Sequence, residues 1–457
     1  KPASTNKQPQ TTSKSKGASK STPAPKKRTT LMTIAIAIVF LHGLVATAIV
    51  FAYLYSIGGF GEVTKQVAFG FHAAAAVASV VAAILLWYWK RIGIYVYAAA
   101  TIAEAALAIV LFGALGMGMI GAFLVMCIVF NVFTDGRFLT PRNIFNLTIQ
   151  TVSVAIMATG MVFVIVTRHI DLSVGALLAT CSAVMAMMQK VVLPDLLGLE
   201  LGHWAIAPVA IVLGLLVGSA IGAFHGWLVG YLTIPAFIVT LGGLLIWRNV
   251  AWYMTGGQTI GPLDETFQLF GGTNGTLGAA VSWVLGLLAA LAAVWSLLST
   301  RRNKIAHDFP VKPLWAEVSL AGLVAVTILG FIGILSAYEV PAARLSRVFA
   351  ARGEVMPEGY TEGYGLPISV LLLLIVAVVM SVIARKTRLG RYIFATGGNP
   401  DSAELSGINT RFLTVKVFTI MGFLCALSAV VASARLTNHT NDIGTLDELR
   451  VIAAAVI

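Results

Sequence analysis

The chain has 457 residues, of which 58% are hydrophobic and only 11% are charged, and its formal net charge is +12. A soluble domain normally has about 25% charged residues to cover its surface. The composition therefore excludes an ordinary soluble protein and predicts a protein of the lipid bilayer. The positive charge does not indicate nucleic-acid binding, because seven Lys, one Arg and no acid lie within residues 1–30.

The N-terminal region is predicted to have two parts. Residues 1–30 are rich in Lys, Ser, Thr and Pro and cannot bury enough apolar surface to fold, so we expect a disordered basic tail, with contact to anionic lipid as the sharper alternative. Residues 31–115 contain apolar runs at 31–56, 67–89 and 92–114, which predict an N-terminal membrane segment of unknown role.

Nine further apolar runs follow, and each is continuous rather than alternating, which favours helices over the strands of a barrel. We therefore predict an all-α polytopic integral membrane protein with about 12 transmembrane or re-entrant helices in this chain, and a further helix that begins near residue 450. The nine runs are 117–133, 149–167, 173–189, 205–229, 234–254, 279–299, 314–338, 367–384 and 412–433.

Basic residues in the connections predict their side of the membrane. The connections 300–313 and 385–411 are rich in Lys and Arg and are placed in the cytoplasm, whereas 255–278 contains neither and is placed outside. Counting spans backward puts residues 134–148 outside and the turn after Thr167 near the cytoplasm. The same count would put the basic tail outside, so the N-terminal membrane segment is interpreted as a separate module.

The stretch RHIDLSVG, which begins at Arg168, places ionisable side chains between two apolar runs. Such groups are costly in a membrane unless they are paired or hydrated, so they often mark functional sites. Asp171 is predicted to cap a helix that starts at Leu172, with Arg168 or His169 as its partner. The alternatives are a substrate path formed by His169, Asp171 and Ser173, and a proton relay through His169 and Asp171.

A ladder of Gly214, Gly218, Gly222 and Gly226 lies at spacing four, on one face of a predicted helix. Glycine at this spacing lets a neighbouring helix approach closely. We expect tight packing inside one bundle, with a moving or oligomeric contact as the alternative.

The sequence has no P-loop, HExxH, GxSxG or Cys/His ligand pattern, so we predict no catalytic residue, no metal site and no cofactor in this chain. Cys127, Cys181 and Cys425 lie in apolar runs without CxxC spacing, which indicates buried thiols.

The polar, glycine-punctuated connection 388–411 predicts a short helix from Pro400 to Leu405. Asn399 or Asp401 can cap this helix, and Gly407 ends it. A short helix at the cytoplasmic surface between two spans is suited to docking another protein, with an ordinary helical loop as the alternative.

Five stretches in order resemble the permease subunits of bacterial sugar ABC importers, in the ribose and xylose branch. The resemblance covers residues 117–457, and the loop with Arg301 and Arg302 is most like the xylose type. The stretches are FTDGRFLTPRN at 133–143, GMVFVIVTRHIDLSVGALLA at 160–179, IPAFIVTLGGLLIWRN at 234–249, RYIFATGGNPDSAELSGINTRF at 391–412 and SARLTNHTNDIGTLDELRVIAAAVI at 433–457.

The chain departs from the family pattern in four places. The family usually has a small or neutral residue where Arg168 stands, and the connection 339–366 is longer than expected. Residues 1–115 have no counterpart. The pattern normally continues past Ile457 with further spans, so residues 116–457 are interpreted as the permease domain, truncated at its C-terminus.

The resemblance implies a multi-pass subunit of the bacterial inner membrane that carries a monosaccharide, a pentose such as xylose. It implies four partners: a second permease copy in a homodimer, a cytosolic ABC ATPase that holds ATP and Mg, a periplasmic or lipid-anchored sugar-binding protein, and membrane lipid. The chain itself is then not an enzyme. The resemblance assigns coupling to the ATPase to Gly398, Asn399, Asp401, Ala403, Glu404, Ser406 and Gly407. Two alternatives are an ion-coupled secondary transporter that uses His169 and Asp171, and a non-transporting membrane scaffold.

Overall fold

The computed structural model describes residues 117–456. The predicted tail at 1–30 and the predicted membrane segment at 31–115 lie outside the described residues. The chain divides between Thr134 and Asp135 into two units, which are described separately. The described part of the first unit is helix α1, Met117–Phe133.

The second unit is built from helices and connections, and its described residues include isolated β-bridges but no named strand. Val174–Met187 continues through a π-helical turn at Met188–Val192 into Leu193–Leu197. A 3-10 turn at Leu269–Gly271 follows the short helix Glu265–Gln268. The helices are α2 Pro141–Val166, α3 Val174–Met187, α4 Leu193–Leu197, α5 Ile206–Gly230, α6 Ala236–Met254, α7 Glu265–Gln268, α8 Gly278–Ala306, α9 Leu314–Ser336, α10 Ala342–Ala351, α11 Ile368–Lys386, α12 Arg388–Gly398, α13 Pro400–Leu405, α14 Thr410–Leu436 and α15 Asp447–Val456.

Eight helical segments in the described residues are long and apolar enough to cross a membrane. They are α2, the continuous α3–α4 segment, α5, α6, α8, α9, α11 and α14. The all-α polytopic fold class is thereby confirmed. The predicted number of about 12 helices is not confirmed within this range, and α15, near residue 450, has only 10 residues.

Three predicted boundaries are wrong, namely the start of α2, the end of the continuous α3–α4 segment, which is Leu197 rather than residue 189, and the end of α8. Helix α2 begins at Pro141 rather than at residue 149, because the Thr140 side chain accepts from the Asn143 N–H at 3.4 Å and Pro141 occupies the first turn. Helix α8 continues to Ala306, so the first half of the predicted cytoplasmic loop 300–313 is helical. Arg301 there forms a 2.7 Å ion pair with Glu317 of α9.

Three glycines of the ladder in α5, Gly218, Gly222 and Gly226, face α14. A Cβ atom added at Gly218 would lie 2.7 Å from the Ala426 Cβ, and one added at Gly222 would meet the Phe418 carbonyl oxygen. A Cβ at Gly226 would lie 2.7 Å from the Val415 Cα. Glycine at these positions therefore allows the two helix backbones to touch at the centre of the bundle. Gly214 instead faces the Met185 side chain of α3.

The connections gather at two ends of the bundle. At one end, Gly202 N donates to Asp264 at 2.7 Å, and Leu277 N donates to the Leu366 carbonyl at 3.0 Å. The other end holds the turn after α2, the connection between α5 and α6, and helices α12 and α13. The connection 255–278 and the turn after α2 therefore lie at opposite ends, and the assignment of the second end to the cytoplasm stays a prediction.

Candidate functional site

The ionisable residues of RHIDLSVG lie in the turn between α2 and α3. Helix α2 ends with Arg168 in the left-handed region, at φ +65°. The Arg168 N–H donates to the Ile165 carbonyl at 2.9 Å and the His169 N–H to the Val164 carbonyl at 3.0 Å. This is the backbone arrangement that usually places glycine at the left-handed position after a helix.

The Arg168 side chain reaches the C-terminus of α12. Its Nε donates to the Gly397 carbonyl at 2.9 Å, and its Nη2 donates to the Gly398 carbonyl at 2.7 Å. A guanidinium at this position satisfies two carbonyls of the helix end and complements the negative end of the helix dipole. The predicted pairing of Arg168 with Asp171 is therefore wrong.

Asp171 is buried, with 1% of its surface exposed. Its Oδ1 accepts from the Ser173 N–H at 2.8 Å and from the Ser173 hydroxyl at 2.6 Å. Helix α3 begins at Val174, so the prediction of a cap for a helix starting at Leu172 is wrong. The reason is that the carboxylate closes a local turn before the helix starts. Burial raises the pKa of the Asp171 carboxyl, and the hydrogen bonds from Ser173 oppose this shift.

His169 does not pair with Asp171. Its ring lies against Phe418 of α14, with 5.9 Å between the ring centroids. Burial lowers the pKa of His169, because the charged imidazolium is poorly solvated there. The predicted proton relay from His169 to Asp171 is not supported by this geometry.

Two residues that the sequence analysis did not select, His225 and Trp247, extend the Asp171–Ser173 pair into the membrane helices. Trp247 Nε1 donates to His225 Nε2 at 2.9 Å, and His225 Nδ1 lies 3.4 Å from the Ser173 hydroxyl. Because the indole N–H is only a donor, His225 Nε2 must be unprotonated, which assigns the ring proton to Nδ1. The polar atoms then form one chain from Trp247 through His225 and Ser173 to Asp171.

A signal for His225 was present in the sequence, because a histidine inside an apolar span is itself unusual. Gly243 of α6 makes the arrangement possible. A Cβ atom at this position would lie 2.6 Å from the His225 Cε1. Only the folded structure brings α6 and Ser173 to the two sides of this ring.

The predicted docking helix forms as α13. Asn399 is its N-cap and accepts from the Ser402 N–H at 3.0 Å, and Gly407 follows with φ +86°. The predicted site residues Gly398, Asn399, Asp401, Glu404, Ser406 and Gly407 are exposed, whereas Ala403 is buried. Leu405 is not among the predicted docking residues, but it is 90% exposed and adds an apolar group to this surface.

A cleft of about 440 Å³ lies beside the turn at this end of the bundle. Arg168, His169 and Ile170 line one part of it, and the connection between α5 and α6 lines another, from Thr233 to Phe237. The cleft therefore lies between the turn and the first residues of α6.

A second buried polar group lies at the opposite end. Ser182 of α3 lies 2.8 Å from His439 Nδ1 and 2.7 Å from the Ser433 hydroxyl. Burial, with the charge of Arg248, lowers the pKa of His439 to about 4. Within the described residues no group of three or more His, Cys, Asp or Glu could hold a metal ion.

Comparisons with known proteins identify relatives of this architecture. The family described as "Branched-chain amino acid transport system / permease component" matches residues 143–457. The xylose transport system permease protein XylH of Haemophilus influenzae is 33% identical over 340 residues, which is 74% of this chain and 80% of that protein.

Two further relatives come from Escherichia coli. Its xylose transport system permease protein XylH is 33% identical over 339 residues, which is 74% of this chain and 77% of that protein. Its ribose import permease protein RbsC is 29% identical over 325 residues, which is 70% of each chain. No solved structure matches the chain.

Proposed function

Because the chain belongs to the family of branched-chain amino acid transport system permease components, we propose that it is the membrane-spanning subunit of an ABC importer for a monosaccharide. The substrate is a pentose such as xylose. The support for this substrate is the 33% identity to two xylose permeases, against 29% to the ribose permease. The protein is a multi-pass inner-membrane protein and not itself an enzyme.

The observation that carries the mechanism is the exposed helix α13 at the end of the bundle. In the proposed importer, a separate cytosolic ATPase docks on the surface formed by Gly398 to Gly407 and supplies ATP and Mg chemistry. The exposed apolar Leu405 suits a protein interface, and the exposed carboxylates Asp401 and Glu404 supply charge that a basic partner surface can complement. The buried Ala403 anchors α13 to the rest of the protein.

Two other partners complete the proposed importer. A sugar-binding protein docks at the opposite end, where a cleft of about 520 Å³ is lined by Glu265, Gln268, Arg344 and Arg347 among others. A second copy of the permease forms a homodimer within the membrane. Movement of the two copies between outward-open and inward-open states then carries the sugar.

Uptake into vesicles tests this proposal. Vesicles that contain the permease, the ATPase subunit and the binding protein are supplied with labelled xylose, with and without ATP inside. We expect uptake that requires ATP and the ATPase subunit. Uptake that survives loss of the ATPase and collapses with the proton gradient would instead favour the ion-coupled alternative.

A further inference from the structure

We infer that Arg168 is a positioning residue that ties the ATPase-docking helices α12 and α13 to the transmembrane helices α5 and α6. The inference rests on the proposed function, because it requires a partner that moves α12 and α13. It concerns a residue at which the chain departs from the sequence pattern of the sugar permeases that it resembles.

The backbone at Arg168 is in the left-handed region, with φ +65°. A residue with a side chain is less stable than glycine in this region. Nothing local requires an arginine at this turn. The two hydrogen bonds to Gly397 and Gly398 offset the cost and give the side chain a specific task.

The backbones of α12 and α2 are in close contact next to those hydrogen bonds. A Cβ atom at Gly397 would meet the Val166 carbonyl oxygen. The C-terminus of α12 therefore rests directly on the end of α2, and the Arg168 guanidinium holds it there from the side. Because the guanidinium donates to two adjacent carbonyls, it fixes the orientation of the α12 C-terminus as well as its distance from the turn.

A short stretch of chain connects Arg168 to residues that contact the membrane helices α5 and α6. Only four residues separate Arg168 from Ser173. The Ile170 carbonyl accepts from the Thr240 hydroxyl of α6 at 3.3 Å, and Ser173 lies 3.4 Å from the His225 ring of α5. A displacement of α12 that moves Arg168 thus reaches α5 and α6 through a hydrogen-bonded turn.

Open space beside the turn gives it room to move. The 440 Å³ cleft borders Arg168 and Ile170 on the side that faces the start of α6. Packed interiors resist deformation, so an element moves only where neighbouring space exists. The cleft gives the turn room to shift toward α6 when α12 is pulled by the partner.

The chain offers a variant that separates coupling from folding. Arg168→Gly loses the two side-chain hydrogen bonds but relieves the left-handed backbone, so the protein should fold about as well as the wild type. Arg168→Lys keeps the charge but loses the fork that spans two carbonyls. Arg411→Ala is the matched control, because Arg411 is also exposed and lies at the same end of the bundle.

The experiment uses the complete importer in vesicles and measures xylose uptake and ATP hydrolysis in the same sample. For Arg168→Gly we expect normal binding of the ATPase subunit, retained hydrolysis, and about tenfold less sugar carried per ATP. Arg168→Lys should fall between Arg168→Gly and the wild type, and Arg411→Ala should match the wild type. Combining Arg168→Gly with His225→Ala should add little further loss, because both residues lie on one path.

Unchanged sugar per ATP in Arg168→Gly would overturn the inference. Loss of ATPase-subunit binding in that variant would also overturn it, because Arg168 would then act in docking. Failure of the proposed function itself gives a different result: the wild-type complex would show no ATP-dependent uptake.

Discussion

Arg168 and Gly397 are 229 positions apart in the sequence, yet the Arg168 Nε donates a 2.9 Å hydrogen bond to the Gly397 carbonyl. The bond joins the turn that precedes the membrane helix α3 to the C-terminus of the surface helix α12. The RHIDLSVG turn and the docking segment, which are far apart in the sequence, therefore form one structural unit.

The docking surface should depend on the charge of Glu404 and the backbone of Gly407. Replacing both, with Glu404→Arg and Gly407→Ala, should weaken binding of the ATPase subunit, because the first reverses an exposed charge and the second strains a residue at φ +86°. Co-purification of the two subunits measures the effect, which we expect to be on the order of tenfold. Glu358→Arg, an exposed acid in the connection between α10 and α11, is the control. Unchanged co-purification would remove α13 from the interface.

Packing of α5 on α14 should fail when the ladder gains a side chain. Gly222→Ala places a Cβ against the Phe418 carbonyl oxygen, so we expect a loss of about 1–3 kcal/mol in stability. Thermal unfolding of the purified protein in detergent measures this loss. Gly242→Ala in α6 is the matched control, since nothing lies within 4 Å of the added Cβ, and it should not destabilise. Equal unfolding temperatures for the two variants would contradict the described helix contact.

The Trp247–His225 hydrogen bond should contribute measurably to the bundle. Trp247→Phe keeps most of the ring volume but leaves His225 Nε2 without its donor, so we expect a loss of about 0.6–1.7 kcal/mol. Trp295→Phe, at a position where the Trp is 68% exposed, should have no effect on thermal unfolding. If Trp247→Phe unfolds like the wild type, the Trp247–His225 hydrogen bond does not stabilise the bundle.

Stability should depend on pH through His439, whose pKa is lowered to about 4 from an ordinary value of 6.5. Between these values the unfolded chain binds a proton that the folded chain does not. Stability therefore falls as the pH drops from 6.5 toward 4, by at most about 1.4 kcal/mol per pH unit. Unfolding of His439→Gln should show a weaker pH dependence. His203→Gln, at an exposed histidine, should retain the wild-type slope, and a shared slope for all three proteins would exclude His439 as the cause.

The sequence by itself determined the features that depend on local composition. Long apolar runs predict membrane helices wherever they occur, and most of the span boundaries agree with the structure within a few residues. The helix Pro400–Leu405 also followed from local signals, because a capping Asn399 and a terminating Gly407 act within a few residues of the helix. The family resemblance has the same origin, since it depends on ordered local motifs.

Only the tertiary structure decided which polar groups meet. Charge alone suggested that Arg168 or His169 pairs with Asp171, whereas Arg168 binds carbonyls of α12 and Asp171 binds Ser173. His225 and Trp247 join the same site from different helices. The physical reason is that a buried polar group takes its partner from whatever backbone or side chain packing brings near, and packing depends on helices far apart in the sequence. Hydropathy determines which segments enter the membrane but does not determine how those segments contact one another.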